Sequence, residues 1–148
     1  ISIPLIAAGG IATGRGMLAA MILGADAVQI GSRFVASFES SAHENFKQKV
    51  VDTQDGETEL TLKELAPVRL IKNKFYTQVK ELYTQNPTHE QLKELLGRAR
   101  AKKGMFEGDL EDGELEIGQI AGLINEIKPA AEIVKEIIEE YEAVKKSL

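Results

Sequence analysis

IPLIAAGGIATGRGMLAAMILGADAVQIGSRF, residues 3–34, is the stretch whose reading decides the fold. Residues 3–8 are a short apolar run that ends at Gly9-Gly10. Residues 17–23 are apolar and rich in helix formers, and they stop at Gly24. Residues 27–30 are a second short run, stopped by Gly31-Ser32. The pattern predicts strand, helix, strand, with Thr13 as the helix cap and a right-handed crossover joining two parallel strands. Both glycine turns then leave the carboxyl ends of neighbouring strands, on the edge where α/β folds bind ligands. Without side chains at Gly9, Gly10 and Gly31, backbone N–H groups can approach a phosphate closely, and the Ser32 hydroxyl adds one bond. In a (β/α)₈ barrel the loops after the last two strands often hold such a phosphate. The plain alternative is a pair of ordinary βα turns.

The rest of the composition bounds the function. A chain of 148 residues with 43% hydrophobic and 28% charged residues fits a soluble globular protein with a sizeable core. A net charge of −5 argues against a general nucleic-acid binder. There is no cysteine, hence no disulfide and no thiolate metal site, as suits a cytoplasmic protein. No apolar run is long enough to predict a membrane span, and the start lacks signal-peptide features. Residues 1–38 carry only Arg15, Asp26 and Arg33 as charged side chains. So apolar a segment is normally covered on both faces, which two strands and one helix cannot do. The expectation is a C-terminal piece of a larger sheet or barrel, with the N-terminal half of that barrel as its missing partner.

From Phe34 the character changes. Residues 41–44 match a capping box, with Phe46, Val50 and Val51 following at helical spacing. Residues 54–57 read as a turn and 58–60 as a brief extended piece. A second box at 61–64 and Pro67 predict a long amphipathic helix carrying Val68, Ile71, Phe75, Val79 and Leu82, ended by Asn86-Pro87. A third box at 88–91 opens a helix that stops at Gly97. Residues 39–103 thus read as a mostly helical module. Residues 104–116 form a glycine-punctuated acidic loop. The small apolar residues of 117–124 predict contact with something buried. A last helix starts near Pro129, with Ile133, Val134, Ile137, Ile138, Tyr141 and Val144 as its apolar stripe.

Other chemistry-bearing residues favour bland readings. His43 and His89 each sit in a first helical turn beside a carboxylate, as surface histidines do. The acidic loop lacks the spacing of a calcium loop. Arg98, Arg100, Lys102 and Lys103 make a small basic cluster, most simply a solvated face. A phosphorylated ligand or an acidic carrier protein is the functional alternative. No nucleophile triad, Walker loop or zinc spacing occurs.

IPLIAAGGIATG followed by GADAVQIGSRF resembles the nitronate monooxygenase family, formerly 2-nitropropane dioxygenases, which are FMN-dependent (β/α)₈ TIM barrels. GDLEDGELEIGQIAGLI is most similar to the flavin-type enoyl-acyl-carrier-protein reductases of that superfamily, as is PVRLIKNKF. The resemblance implies an α/β fold in which residues 1–38 are strand 7, helix 7 and strand 8 of the barrel. A helical substrate-side module, 39–103, would follow. Residues 104–148 would return over the flavin and end in a helix packed on the barrel. It implies that Gly9, Gly10, Gly31 and Ser32 meet the FMN phosphate. Gln29 and Ile30 belong to the same flavin-binding run, and Gly118 and Gln119 pass near the ring. The family's catalytic histidine lies in a GGH loop that this sequence lacks, so no catalytic residue is assigned, and neither His43 nor His89 replaces it. The implied activity of the intact protein is NAD(P)H-dependent enoyl-thioester reduction in fatty-acid synthesis, on a small-molecule or acyl-carrier-protein-linked substrate. The alternative is oxidation of alkyl nitronates with O₂. A homodimer is allowed. A different class of reading is a non-catalytic helical interaction module.

Overall fold

The computed structural model describes residues 2–148. The opening stretch forms strand β1 (Ile6–Ala8), helix α1 (Gly14–Ile22) and strand β2 (Ala27–Gln29). β1 and β2 pair in parallel, with Ile6 opposite Ala27 and Ala8 opposite Gln29. The expected βαβ unit is therefore present, with strands shorter than the apolar runs. Thr13 caps α1, its hydroxyl accepting from the Gly16 amide at 3.0 Å. Asp26 ties the far end of the unit by accepting from the Leu5 amide at 2.7 Å. The sheet does not close. Ile3 and Ile6 are 70% and 58% exposed.

A short helix α2 (Ser32–Val35) follows β2 directly, and α3 (Glu44–Asp52) comes next. The cap of α3 is His43, not Ser41: its Nδ1 accepts from the Asn45 amide at 3.1 Å. Strands β3 (Thr58–Thr61) and β4 (Val68–Ile71) then pair as an antiparallel hairpin, Thr58 opposite Ile71 and Thr61 opposite Val68. This corrects the helix expected from Val68 onward. The helix α4 spans Lys74–Tyr83, and its cap is Asn73, whose Oδ1 accepts from the Tyr76 amide at 2.9 Å. The reason lies in burial. Leu70 packs into one apolar cluster with Phe75, Val79 and Leu92, while Ile71 packs into another with Phe46, Val50 and Leu115. A strand buried on both faces loses its alternation and mimics a helical stripe. Helix α5 (His89–Leu96) has the expected capping box between Thr88 and Gln91, and it ends at Gly97, at φ +64°.

The segment beyond α5 crosses back over the molecule. A π-helical turn, Lys102–Phe106, leads into the acidic loop, and a 3₁₀ helix, Gln119–Leu123, follows. Leu115, Ile117, Ala121 and Ile124 are buried against Ala36, Phe46, Val50 and Ile71. The buried contact expected of 117–124 is thus with α2, α3 and β4. The last helix, α6 (Ala130–Lys146), packs along α1. That packing is close at Gly14, where an added Cβ would lie 2.2 Å from the Ile137 carbonyl oxygen.

Candidate functional site

Because β1 and β2 run in parallel, Gly9-Gly10 and Gly31-Ser32 emerge at the same end of the sheet. Gly9 and Gly10 have φ of +89° and +69°, a conformation that side-chain-bearing residues rarely adopt. Gly31 is different. Its φ of −107° is ordinary, so its glycine leaves space and does not satisfy a strained backbone. An added Cβ at any of the three would meet nothing within 4 Å. The amides of Gly10 and Ser32 have no acceptor among the described residues. The first turn of α1 is not available in the same way. Glu140 from α6 accepts from the Gly14 amide at 2.7 Å, and Thr13 takes that of Gly16. An anion on this edge would be held by turn amides, with the Gly14 and Gly16 amides of α1 already engaged.

The return segment lies beside this edge. The Ser32 hydroxyl oxygen accepts from the Gly118 amide at 3.0 Å, across 86 residues of sequence. Gln119, Ile120, Gly122 and Leu123 line a cleft of ≈ 450 Å³ with Gly10 and Asp55. A neighbouring cleft of ≈ 360 Å³ is lined by Ser32, Gly118, Arg69 and Glu116, among others. Of the eight residues expected at a cofactor, Gly10 and Gln119 share the first cleft, and Ser32 and Gly118 share the second. Gly9 and Gly31 flank them in the same turns. Gln29, exposed, closes strand β2, Ile30, half-buried, follows it, and neither lines a cleft. Asp55 and Arg69 are not candidates on the sequence, and Glu116 enters there only as the last carboxylate of the acidic loop. The only signal for Asp55 is its place in the 54–57 turn, and nothing local marks Arg69.

Elsewhere the structure sorts the remaining candidates. His43 is a structural cap whose ring lies against Gly108, where a Cβ would come within 2.3 Å of Nδ1. His89 opens α5 on the surface. The acidic loop is organised by ion pairs. Lys103 lies 2.9 Å from Asp109, and Lys74 lies 2.9 Å from Asp112. Lys103 and the amides of Asp112 and Glu111 hold the Asp109 carboxyl down at about 2. Among the described residues no group of His, Asp or Glu is placed to hold a metal ion. Of the basic cluster, Arg98 and Lys102 are exposed, as a solvated face requires, whereas Arg100 turns inward. Arg100 donates to the backbone oxygens of Leu95, Leu96 and Asp112, and it stacks 4.5 Å over the Phe75 ring.

Comparison with known proteins agrees with this fold. A family model described as nitronate monooxygenase matches residues 1–140. A probable nitronate monooxygenase of Bacillus subtilis is 36% identical over 129 residues, covering 86% of this chain and 37% of that protein. A probable nitronate monooxygenase of Staphylococcus aureus is 33% identical over 145 residues, 97% of this chain and 40% of that one. Among solved structures, FabK from Thermotoga maritima is 43% identical with a TM-score of 0.91, covering 99% of this chain and 47% of FabK. A nitroalkane oxidase from Streptomyces ansochromogenes is 29% identical with a TM-score of 0.79, covering 100% of this chain and 42% of the oxidase. This chain spans less than half the length of each of these proteins. Both solved structures are TIM barrels, of which β1, α1 and β2 here are one strand–helix–strand portion. The chain belongs to the nitronate monooxygenase family.

Proposed function

We propose that this chain forms the phosphate side of an FMN site in an oxidoreductase that reduces enoyl thioesters at the expense of NAD(P)H. The observation that carries the cofactor reading is the shared edge. Two glycine turns with unpaired amides and open space beyond them lie beside two clefts, one walled by Gln119 and the other by Gly118. The residues present fit the group. Gly9, Gly10 and Gly31 admit a phosphate to the backbone, Ser32 offers a hydroxyl, and Gln119 and Ile120 supply an amide-bearing and an apolar wall for a planar ring.

When bound, FMN supplies the hydride chemistry, and the protein orients and shields it. This chain's part is positional. The glycine turns fix the phosphate end. Ile120 and Leu123 keep the cleft apolar, and Gln119 offers both a donor and an acceptor toward its interior. No proton-transfer role is assigned to a residue of this chain.

Enoyl reduction is preferred because the GQIAGLI run resembles the reductase branch. FabK, taken as representative of that branch, is also more similar to this chain than the nitroalkane oxidase is, at 43% against 29% identity. The second reading, nitronate oxidation, is favoured by the names of the curated relatives. The complete gene product decides between them. It should purify with visible flavin absorbance and turn over a crotonyl thioester with NADH or NADPH. Turnover of propionate 3-nitronate with O₂, and none of the thioester, would overturn the reductase reading. Absence of bound flavin would leave the chain an interaction module.

A further inference from the structure

Helix α2 and its extension hold the return segment at three points. Ser32 Oγ takes the Gly118 amide at 3.0 Å. Arg33, only 8% exposed, donates from Nη1 to the Glu126 carbonyl at 3.4 Å. Beyond it, Ser37 and Lys128 form a parallel bridge, with the Lys128 amide on the Ala36 carbonyl and the Phe38 amide on the Lys128 carbonyl. Between these ties lies the 3₁₀ helix Gln119–Leu123, anchored by fully buried Ala121 and bearing the cleft wall. The first tie is the one made by a residue of the glycine turns, since Ser32 follows Gly31 directly. An added Cβ at Gly118 would stand 2.7 Å from Ser32 Oγ, so the approach is set by glycine on one side and a small hydroxyl on the other.

A serine hydroxyl has one proton to donate and two lone pairs. At Ser32 one lone pair is used by Gly118, and the proton has no acceptor among the described residues. We propose that Ser32 is a positioning residue that couples the phosphate turn to the cleft wall. Its hydroxyl donates to a phosphate oxygen on one side while its oxygen accepts from Gly118 on the other. Donation to an anion makes the oxygen a better acceptor, so each bond strengthens the other. Phosphate at Gly31-Ser32 therefore fixes Gly118 and, through it, the Gln119-bearing wall. The proposal rests on reading Gly31-Ser32 as the phosphate turn.

Amide hydrogen exchange over residues 118–124 of the complete protein tests it, in wild type, Ser32→Ala and Ser32→Thr, with FMN or with riboflavin, which lacks the phosphate. Without ligand, Ser32→Ala should speed exchange at Gly118 by about fivefold to tenfold, as loss of one hydrogen bond implies. In wild type, saturating FMN should slow exchange across 118–124 more than saturating riboflavin does. Ser32→Ala should erase that difference while still binding FMN, and Ser32→Thr, which keeps the hydroxyl, should restore it. Equal FMN protection in wild type and Ser32→Ala would overturn the coupling and leave the phosphate reading standing. FMN binding wild type no more tightly than riboflavin would overturn the phosphate reading and the coupling with it. Unchanged ligand-free exchange in Ser32→Ala would overturn the tie to Gly118 itself.

Discussion

At Glu114 a carboxyl group is buried in the acidic loop, at 5% exposure. Its amide donates to the Arg100 carbonyl at 3.1 Å, and its own carbonyl lies against Gly104. Burial pushes its carboxyl up to about 7, the Glu116 carboxylate pushes the same way, and the Arg100 guanidinium opposes both. The folded protein thus holds a proton that the unfolded chain releases near pH 4.3. Between that pH and about 7 the folded state binds more protons, so stability falls as pH rises through this window and levels off above it. Glu114→Gln removes the cost of the charged form. Urea unfolding at pH 5 and pH 8 should show the variant more stable than wild type at the higher pH, by on the order of 1–3 kcal/mol, with a flatter pH profile. Equal pH dependence in the two proteins would mean that Glu114 is solvated. Residue identities were legible in the sequence where the backbone demands them, as at Gly9 and Gly10 with their positive φ. They were not legible at Arg100 and Asp55, whose roles depend on partners that only the fold brings near.

Between elements, the α1–α6 contact is the most demanding. Gly14 opens α1, and a Cβ there would lie 2.2 Å from the Ile137 oxygen and 2.3 Å from the Tyr141 nitrogen. Both are backbone atoms, which cannot rotate away. The Gly14 amide is also the donor to Glu140. Gly14→Ala should destabilise the protein by about 3 kcal/mol, the upper range for overpacking, read as a lower midpoint in urea. Gly24→Ala offers a control of another kind. It has open space but a φ of +103°, so its cost is backbone strain without displacement of α6. A Gly14→Ala midpoint equal to wild type would mean that the helices can separate freely. The elements that could be read in advance were those with local caps: Thr13 at α1, and Thr88 with Gln91 at α5. The β3–β4 hairpin was half legible. Residues 58–60 read as extended, but β4 read as helix because Leu70 and Ile71 are buried on opposite faces. Asn73 was the overlooked signal, since its side chain caps α4 and also donates to the Leu110 and Gly113 carbonyls at 2.9 and 2.8 Å.

Over the whole molecule, the chain is a barrel portion and a helix-and-hairpin portion joined by the return segment. The first portion leaves apolar surface uncovered on β1 and at the end of α1, where Leu23 is 88% exposed. Among the described residues no helix is long and apolar enough to cross a membrane. Closure of the cleft depends on residues far apart in sequence, Gly10, Asp55 and 119–123, and their meeting follows from the core shared by 36–50 and 115–124. The small apolar residues of 117–124 announced that such a contact exists without saying with what. The central claim is that the two glycine turns hold the phosphate of FMN. Gly31 is the position at which to test it, because an added Cβ there meets nothing within 4 Å and its φ of −107° lies outside the left-handed region. The most direct measurement is the ratio of FMN to riboflavin affinity in the complete protein and in Gly31→Val. The account predicts a wild-type preference for FMN of about 100-fold, ~2.7 kcal/mol, that collapses in Gly31→Val while riboflavin binding and the unfolding midpoint stay close to wild type. An unchanged ratio in Gly31→Val would contradict it.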